Sequence, residues 1–492
     1  MEDKVTIIGS GFGGLSAACY LQKNGMDVTV LEKNNQMGGV ASTIEKDGYR
    51  FDFGPSWYLM PEIFDGFFEE LGVDREDYYS IEKLNPEYKV KWTDGDEMTV
   101  TNDVDVMKKK FEKRENGAGE MLEKYLEEAE TVYQTGMDDM VSQNRTSIKD
   151  FIDPSIASME NTQALSLFRQ SMEDHVDKYF DNEKLRQVVL YNLVFLGGSP
   201  SSTPAIYKLM GHVTFTQGVY YPEGGIRTVI DSLIQLGDEM GVDYRRNSPV
   251  ENVSKKNGLF EVEYNGQNMI KSNYVVSNAD YQYTERELLD DSLKQYDDDY
   301  WSDTFYAPGA YLLYAGVDTD VSDYEHHSLV FPENWDDHFR SINYRNGLPR
   351  NPAYYVNFPS LTDPTVSPDG KHTMVVLVPI APGLDLSEAD RDSFRNGVLN
   401  RIDDDLGIPI SENIETFEEA AISEFRQKFN RSYGSGLGVA HTVKQTSILR
   451  PNMESESADG LYFTGGDTQP GIGMPMCLLS GRHVGENIVQ DK

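Results

Sequence analysis

Six residues near the start of the chain, Gly9-Ser10-Gly11-Phe12-Gly13-Gly14, follow a short apolar run and precede a helical pattern, and Glu32 stands eighteen positions after the last of them. That order points to a β-α-β unit: residues 5–8 read as a buried strand, 9–14 as a glycine turn, 15–24 as a helix and 28–31 as a second strand ending at Glu32. A G-x-G-x-x-G string alone is a weak signal; the flanking strand and helix, with the acid at the end of the second strand, turn it into a dinucleotide fingerprint. Gly9 lets the chain turn out of the strand, Gly11 removes the side chain where a pyrophosphate approaches, and Gly14 lets the helix pack close to the sheet. With Phe12 and Gly13 they open a helix whose N-terminus offers free N–H groups and a favourable dipole to phosphates. Glu32, with Lys33 beside it, is placed to accept bonds from ribose hydroxyls, and a carboxylate there disfavours a 2′-phosphate.

A second glycine pair, Gly38-Gly39, follows six residues after Glu32, ahead of Val40, Ser42-Thr43 and Phe51-Asp52-Phe53-Gly54-Pro55. The pair lets another stretch of backbone lie against a bound pyrophosphate, which favours FAD over NAD and a glutathione-reductase-type flavin domain. At the far end Gly465-Gly466-Asp467-Thr468 follows an apolar strand, and Gly471-Ile472-Gly473-Met474-Pro475 leads into a helix expected to begin near Met476. Asp467 suits a ribityl hydroxyl, and a helix start can stabilise charge on the edge of a reduced flavin. The expected cofactor is therefore FAD, held jointly by both ends of the chain.

Between these ends the sequence is long enough for more than one structural unit. Residues 105–190 carry helical periodicity with charged faces and read as a mostly helical insertion. Residues 259–264 and 269–276, around Asn265-Gly266, read as a hairpin, and 310–315 and 373–379 as further strands. The fold class expected is α/β: a Rossmann-like FAD-binding domain from 1–75, 218–285 and 435–492, with an inserted mixed-sheet and helical substrate domain from 76–217 and 286–434. The aspartate-rich stretches 297–299 and 403–405 read as hydrated surface.

The 492 residues hold 44 Lys and Arg against 82 Asp and Glu, a formal net charge of -38. Such a surface repels nucleic acid and anionic lipid, and suits a protein working in high salt, where screening cancels the self-repulsion. Cys19 and Cys477 are too few for a disulfide framework or a thiolate metal site, and no metal is expected. No apolar run approaches a membrane span, so a cytoplasmic location is expected, with peripheral membrane contact at most.

The landmarks extend beyond the nucleotide motifs. They include Ser56-Trp57-Tyr58-Leu59-Met60-Pro61 after Pro55, the segment from Gly218 to Gly225, Asn247-Ser248-Pro249-Val250, Val276-Ser277-Asn278-Ala279-Asp280, Ser360 to Asp363 with Pro368, Gln445, and Arg450-Pro451-Asn452. In this order and over essentially the whole length the chain resembles the phytoene desaturase family of carotenoid-synthesising flavoenzymes. The resemblance implies that Val250 lies on a strand whose backbone meets the adenine, and that flavin N5 takes a hydride from a saturated carbon while a neighbouring carbon loses a proton. It implies a hydrophobic polyene substrate, phytoene or a related carotenoid, and an electron acceptor such as oxygen or a quinone. Two departures stand out: Val40 where the family usually has arginine, and Gly466-Asp467-Thr468-Gln469-Pro470 where it usually reads Ala-Gly-Thr-His-Pro.

Phytoene desaturation toward lycopene is the leading expectation. Carotenoid 3,4-desaturation or polyene isomerisation is the alternative, and a flavin-less prenyl-lipid binding protein the reading from another class. A hydrocarbon can be held only by buried apolar area, about 25 cal/mol per Å². Trp57, Tyr58, Met60, Phe64, Phe67 and Phe68, and residues 188–196 before Gly197-Gly198, are candidates to line a tunnel or to pack as ordinary core. No nucleophile triad or G-x-S-x-G is present, no catalytic acid or base is identified, and His175, His326, His327 and His483 are given surface or packing roles.

Overall fold

The computed structural model describes residues 3–137, 167–332, 334–343 and 347–491. A five-stranded, all-parallel sheet runs in the order Leu461–Phe463, Tyr274–Ser277, Lys4–Ile8, Asp27–Leu31, Asp243–Arg245. Its central strand is buried at every position after Lys4 because both faces are covered, as in a parallel sheet flanked by helices. Val5, Ile7 and Ile8 are buried there, in register with Tyr274, Val276 and Ser277 on one side and with Val28, Val30 and Leu31 on the other. Strands from the beginning, the middle and the end of the chain thus form one sheet.

Two helices join the termini. Phe12–Lys23 and Met474–Gln490 pack against each other through Gly481, where a Cβ would stand 2.1 Å from the Gly13 carbonyl oxygen, and Gly485, where it would stand 2.6 Å from the Tyr20 ring. The Ser16 hydroxyl donates to the Leu478 carbonyl across the same seam at 2.6 Å. The first helix begins at Phe12 rather than Leu15 and the last at Met474 rather than Met476, because Gly11 and Gly473 serve as N-caps and the turns of the fingerprint are already helical.

The second layer is a seven-stranded mixed sheet, ordered Ile414–Ala420, Gly309–Val317, His372–Ile380, Tyr354–Asn357, His327–Phe331, Tyr88–Trp92, Glu97–Val100. Its single parallel pair joins His327–Phe331 to Tyr88–Trp92. The helices Val104–Arg114, Ala118–Gly136, Met172–Val176 and Glu183–Leu190 bear out the helical reading over the described part of 105–190, and 138–166 lies outside the described residues.

Two expectations need correction and a third narrows. The run 269–276 is not one hairpin arm: Asn268–Ser272 pairs antiparallel with Leu259–Tyr264, whereas Tyr274–Ser277 crosses into the parallel sheet. Asn273 marks the break, donating its N–H to the Lys4 carbonyl and accepting the Lys4 N–H. Residues 403–405 are not simply hydrated. Asp403 accepts the Ser411 amide and hydroxyl, and Asp405 accepts the Tyr354 hydroxyl at 2.7 Å. His175, His326, His327 and His483 are all buried, which selects packing from the two roles expected.

Glu87, fully buried ahead of the Tyr88–Trp92 strand, has no partner of normal hydrogen-bond geometry at either oxygen. Burial pushes its carboxyl up to about 8, against the pull of Lys83 and the Val219 amide. An acid that binds its proton more tightly folded than unfolded loses the native state stability as pH rises from its unfolded value of 4.5 through 8. Glu87→Gln is therefore expected to stabilise the fold by roughly 3–5 kcal/mol at pH 9 and by little at pH 4. Denaturant melts of both proteins at the two pH values check it; equal midpoints at pH 9 would refute it.

Candidate functional site

The glycine turn, the second glycine pair and the C-terminal glycines meet at the C-terminal edge of the parallel sheet, where an open α/β sheet places its ligands. A Cβ on Gly14 would stand 2.2 Å from the Gly9 carbonyl oxygen, so the close approach of helix and strand requires glycine there. At Gly13 it would stand 2.7 to 3.1 Å from Asn278, Thr464 and the Gly465 amide, and at Gly39 3.5 Å from the Gly11 Cα. The Gly38 N–H donates to the Ser10 carbonyl at 2.9 Å, tying the second pair to the first turn. These walls are backbone with side chains removed, a cradle suited to the diphosphate of a dinucleotide.

Glu32 is buried and fully engaged. Its Oε2 accepts the Ser10 N–H and hydroxyl at 3.0 and 2.6 Å, and its Oε1 accepts the Asn34 N–H and amide at 2.9 and 3.0 Å. The carboxylate therefore fixes the turn, and a ribose hydroxyl at Glu32 would share or replace one of these bonds. Lys33 turns away: its Nζ donates to the Gln427 carbonyl and to Asn430 Oδ1 at 2.8 and 2.7 Å. Val250 opens the Val250–Lys256 strand and shares a buried cluster with Ile8 and Leu31, while the Ser248 N–H donates to the Glu32 carbonyl at 2.7 Å. The 247–250 segment thus lies beside Glu32.

Asp467 is buried; its carboxylate accepts the Val439 and Tyr281 amides at 2.9 and 3.3 Å, with the Arg431 guanidinium at 3.7 Å. Nearby Asp280 accepts the Ser432 N–H and hydroxyl at 2.9 and 2.5 Å. Burial, and then the charge of Asp467, push Asp280 up to about 6, opposed by Arg431. Arg450 is buried without a hydrogen-bonded carboxylate, donating to the carbonyls of Val439, Gln445, Gly466 and Thr468 and so bracing the Gly466–Thr468 turn.

A cavity of ≈ 460 Å³ opens from this cradle into the mixed-sheet layer. Phe12, Val40, Gly466, Gly473, Met474 and Pro475 form its near wall, all candidates named from sequence. Leu329, Phe331, Trp335, Phe339 and Ile342 form its far wall, brought there by one strand and the helix Trp335–Asn343. Of the aromatic candidates, Trp57 and Met60 line it, as do Tyr191, Gly197 and Gly198, whereas Tyr58, Phe64, Phe67 and Phe68 pack in the core behind it. Trp57 is held flat by His327, ring centroids 4.4 Å apart.

The histidines on the wall are neutral. The Ile472 N–H donates to His441 Nε2 at 3.1 Å, which leaves the ring proton on Nδ1, facing the Tyr207 hydroxyl at 2.5 Å. Burial, then Arg450, hold His441 well below the usual histidine range, and burial brings His338 down to about 4. Among the described lining residues there is no Asp or Glu. No group of three metal-ligating side chains occurs among the described residues, and no described helix is long and apolar enough to cross a membrane. Sequence reading missed Tyr207, His441, Arg431 and the Trp335 face, since nothing local marks them; Gly481 and Gly485 did carry a signal, their i, i+4 spacing.

The sequence profile described as "Flavin containing amine oxidoreductase" matches residues 12–489. A carotenoid 3,4-desaturase of Haloarcula japonica is 48% identical over 489 residues, covering 99% of this chain and 98% of that protein. A zeta-carotene-forming phytoene desaturase of Myxococcus xanthus is 30% identical over 496 residues, covering 99% and 94%. Among solved structures, putrescine oxidase bound to putrescine superposes with a TM-score of 0.64 at 14% identity, covering 100% and 99% of the two chains. Cyclohexylamine oxidase from Brevibacterium oxydans gives 0.60 at 14% identity, covering 100% and 99%. At that identity the structural likeness concerns the fold alone.

Proposed function

Because this chain belongs to the flavin containing amine oxidoreductase family, we propose that it binds FAD along the two glycine-rich ends and desaturates a linear carotenoid in the adjoining cavity. The observation that carries this reading is the continuity of the cradle with an apolar chamber whose described lining holds no carboxylate. A hydrocarbon has nothing to ionise or hydrogen-bond, so a wall of Leu329, Phe331, Trp335 and Ile342 suits it, and its binding comes from buried apolar area.

In this reading Gly9, Gly11, Gly13, Gly14, Gly38 and Gly39 hold the diphosphate, Glu32 and Val250 flank the adenosine, and Gly466, Asp467 and the Gly473–Pro475 helix start hold the ribityl and ring portion. The FAD-binding domain comprises 1–75, 218–285 and 435–492. FAD supplies the two-electron acceptor when bound. The protein's share is to align the polyene, with Trp57 fixed by His327, and to exclude water from the reacting carbons. Oxygen or a quinone serves as the terminal acceptor, and the insoluble substrate favours peripheral membrane contact. The charge of -38 favours work in molar salt.

The resemblance pointed first to phytoene as substrate. The full-length likeness at 48% to a carotenoid 3,4-desaturase, against 30% to a phytoene desaturase, supports 3,4-desaturation instead. The test is expression in hosts accumulating either phytoene or an already conjugated acyclic carotenoid, followed by mass and absorption spectra of the extracts. The expected result is loss of a hydrogen pair and a red shift with the conjugated carotenoid only. Conversion of phytoene would restore the earlier expectation, an unchanged mass with altered geometry would mean isomerisation, and a colourless protein that takes up no FAD would sink the reading altogether.

A further inference from the structure

A dinucleotide brings two negative charges into a site that already holds Glu32, Asp280 and Asp467, on a chain of net charge -38. Backbone amides and a helix dipole offset part of this, and a cation at the diphosphate offsets more. The Gly38-Gly39 turn brings none, since the residue after it is Val40. Three nearby cations are hydrogen-bonded elsewhere: Lys33 to Gln427 and Asn430, Arg227 to the Met37 carbonyl and Asp231, and Arg450 to four carbonyls. Arg50, 3.7 Å from Asp363, does not line the cavity.

Arg431 is placed differently. It is the one Arg or Lys among the described residues lining the cavity, and its contact to Asp467, 3.7 Å, is longer than a hydrogen bond. Its backbone is pinned on both sides. The Asn34 side chain donates to the Lys428 carbonyl at 3.0 Å and Lys33 holds Asn430, which sits in the left-handed region at φ 53°; beyond it Ser432 is bonded twice to Asp280. Residues 427–432 therefore strap together the end of the Asp27–Leu31 strand, the end of the Tyr274–Ser277 strand and the C-terminal glycine turn, and deliver one guanidinium with uncommitted donors into the space between them.

We propose that Arg431 is the cationic contact for the FAD diphosphate, supplied from a segment distant in sequence to a pair of glycine turns that carry no cation of their own. The assignment rests on the reading that the chain binds FAD. Its planar fork suits two phosphate oxygens at once, and the strap sets its position before the nucleotide arrives.

Titration of the full-length apoprotein with FAD, followed by flavin fluorescence, tests it. R431Q is expected to weaken FAD binding by about ten- to a hundredfold in an apoprotein that still folds cooperatively. Placing the charge on the opposite wall, V40R in the R431Q background, is expected to recover most of the loss, whereas V40R alone changes affinity less because the diphosphate is already matched. FAD affinity of R431Q equal to wild type would overturn the assignment, as would a double variant no tighter than R431Q. So would an unchanged affinity with a shifted reduction potential, which would put the guanidinium against the ring. Should R431Q not fold, R431K carries the test: loss of the fork predicts several-fold weaker binding, and wild-type affinity would overturn the proposal. A wild-type protein that takes up no FAD would instead defeat the cofactor reading, a distinct outcome.

Discussion

Gly481→Val is expected to abolish the holoprotein. A Cβ at this position would stand 2.1 Å from the Gly13 carbonyl oxygen, 2.8 Å from the Ser16 Cβ and 2.9 Å from the Ala17 amide nitrogen. Those are atoms of the first helix, so no flexible side chain can yield. The helices must part, and overpacking against backbone costs more than about 3 kcal/mol. The separation also pulls the Gly465–Asp467 turn from Gly13, breaking the cradle from which flavin binding is proposed to come. The expected outcome is a chain that purifies without bound FAD and melts well below wild type. Gly485→Val, aimed at the movable Tyr20 ring 2.6 Å away, is expected to be milder. A stable, FAD-loaded G481V protein would show that the two termini do not meet as described.

Ala353→Trp is expected to separate flavin binding from turnover. Ala353 lines the cavity next to His338, whose Nδ1 accepts its N–H at 3.1 Å. An indole there takes much of the space left between Trp335 and Tyr355, while every contact of Glu32, Asp467 and the glycine turns is untouched. On the proposed activity, conversion of the carotenoid should fall by at least about a hundredfold, since a few kcal/mol of lost apolar burial and misaligned carbons act together. The flavin spectrum and chemical reducibility should stay as in wild type. Retained turnover would place the substrate elsewhere; loss of the flavin would mean that the cavity and cradle are not separable.

The local rules of glycine, strand and helix carried far. The β-α-β unit, the second glycine pair, the strands near 310 and 375 and the C-terminal glycine turn were each legible, because each is a short stretch whose geometry a few residues impose. The hairpin arm at 269–276 failed for a related reason: alternation is the same in two consecutive strands, and only pairing partners reveal that Asn273 divides them between sheets. Asp403 and Asp405 looked like surface because their partners Ser411 and Tyr354 come from other elements. Trp57 and Tyr58 are adjacent, yet one faces the cavity and the other stacks on Phe64 in the core. Composition could not divide them, since lining and core are equally apolar.

By itself, then, the order of residues determined that both ends of this polypeptide would form glycine turns able to take backbone against a phosphate. Conformational freedom at a glycine, and its lack of a side chain, are properties of single positions. The tertiary structure alone decided that Arg431, far from Gly11 along the chain, would line the same chamber as Val40, Leu329 and Trp335. Charge matching and enclosure depend on distance in space, and only packing sets that.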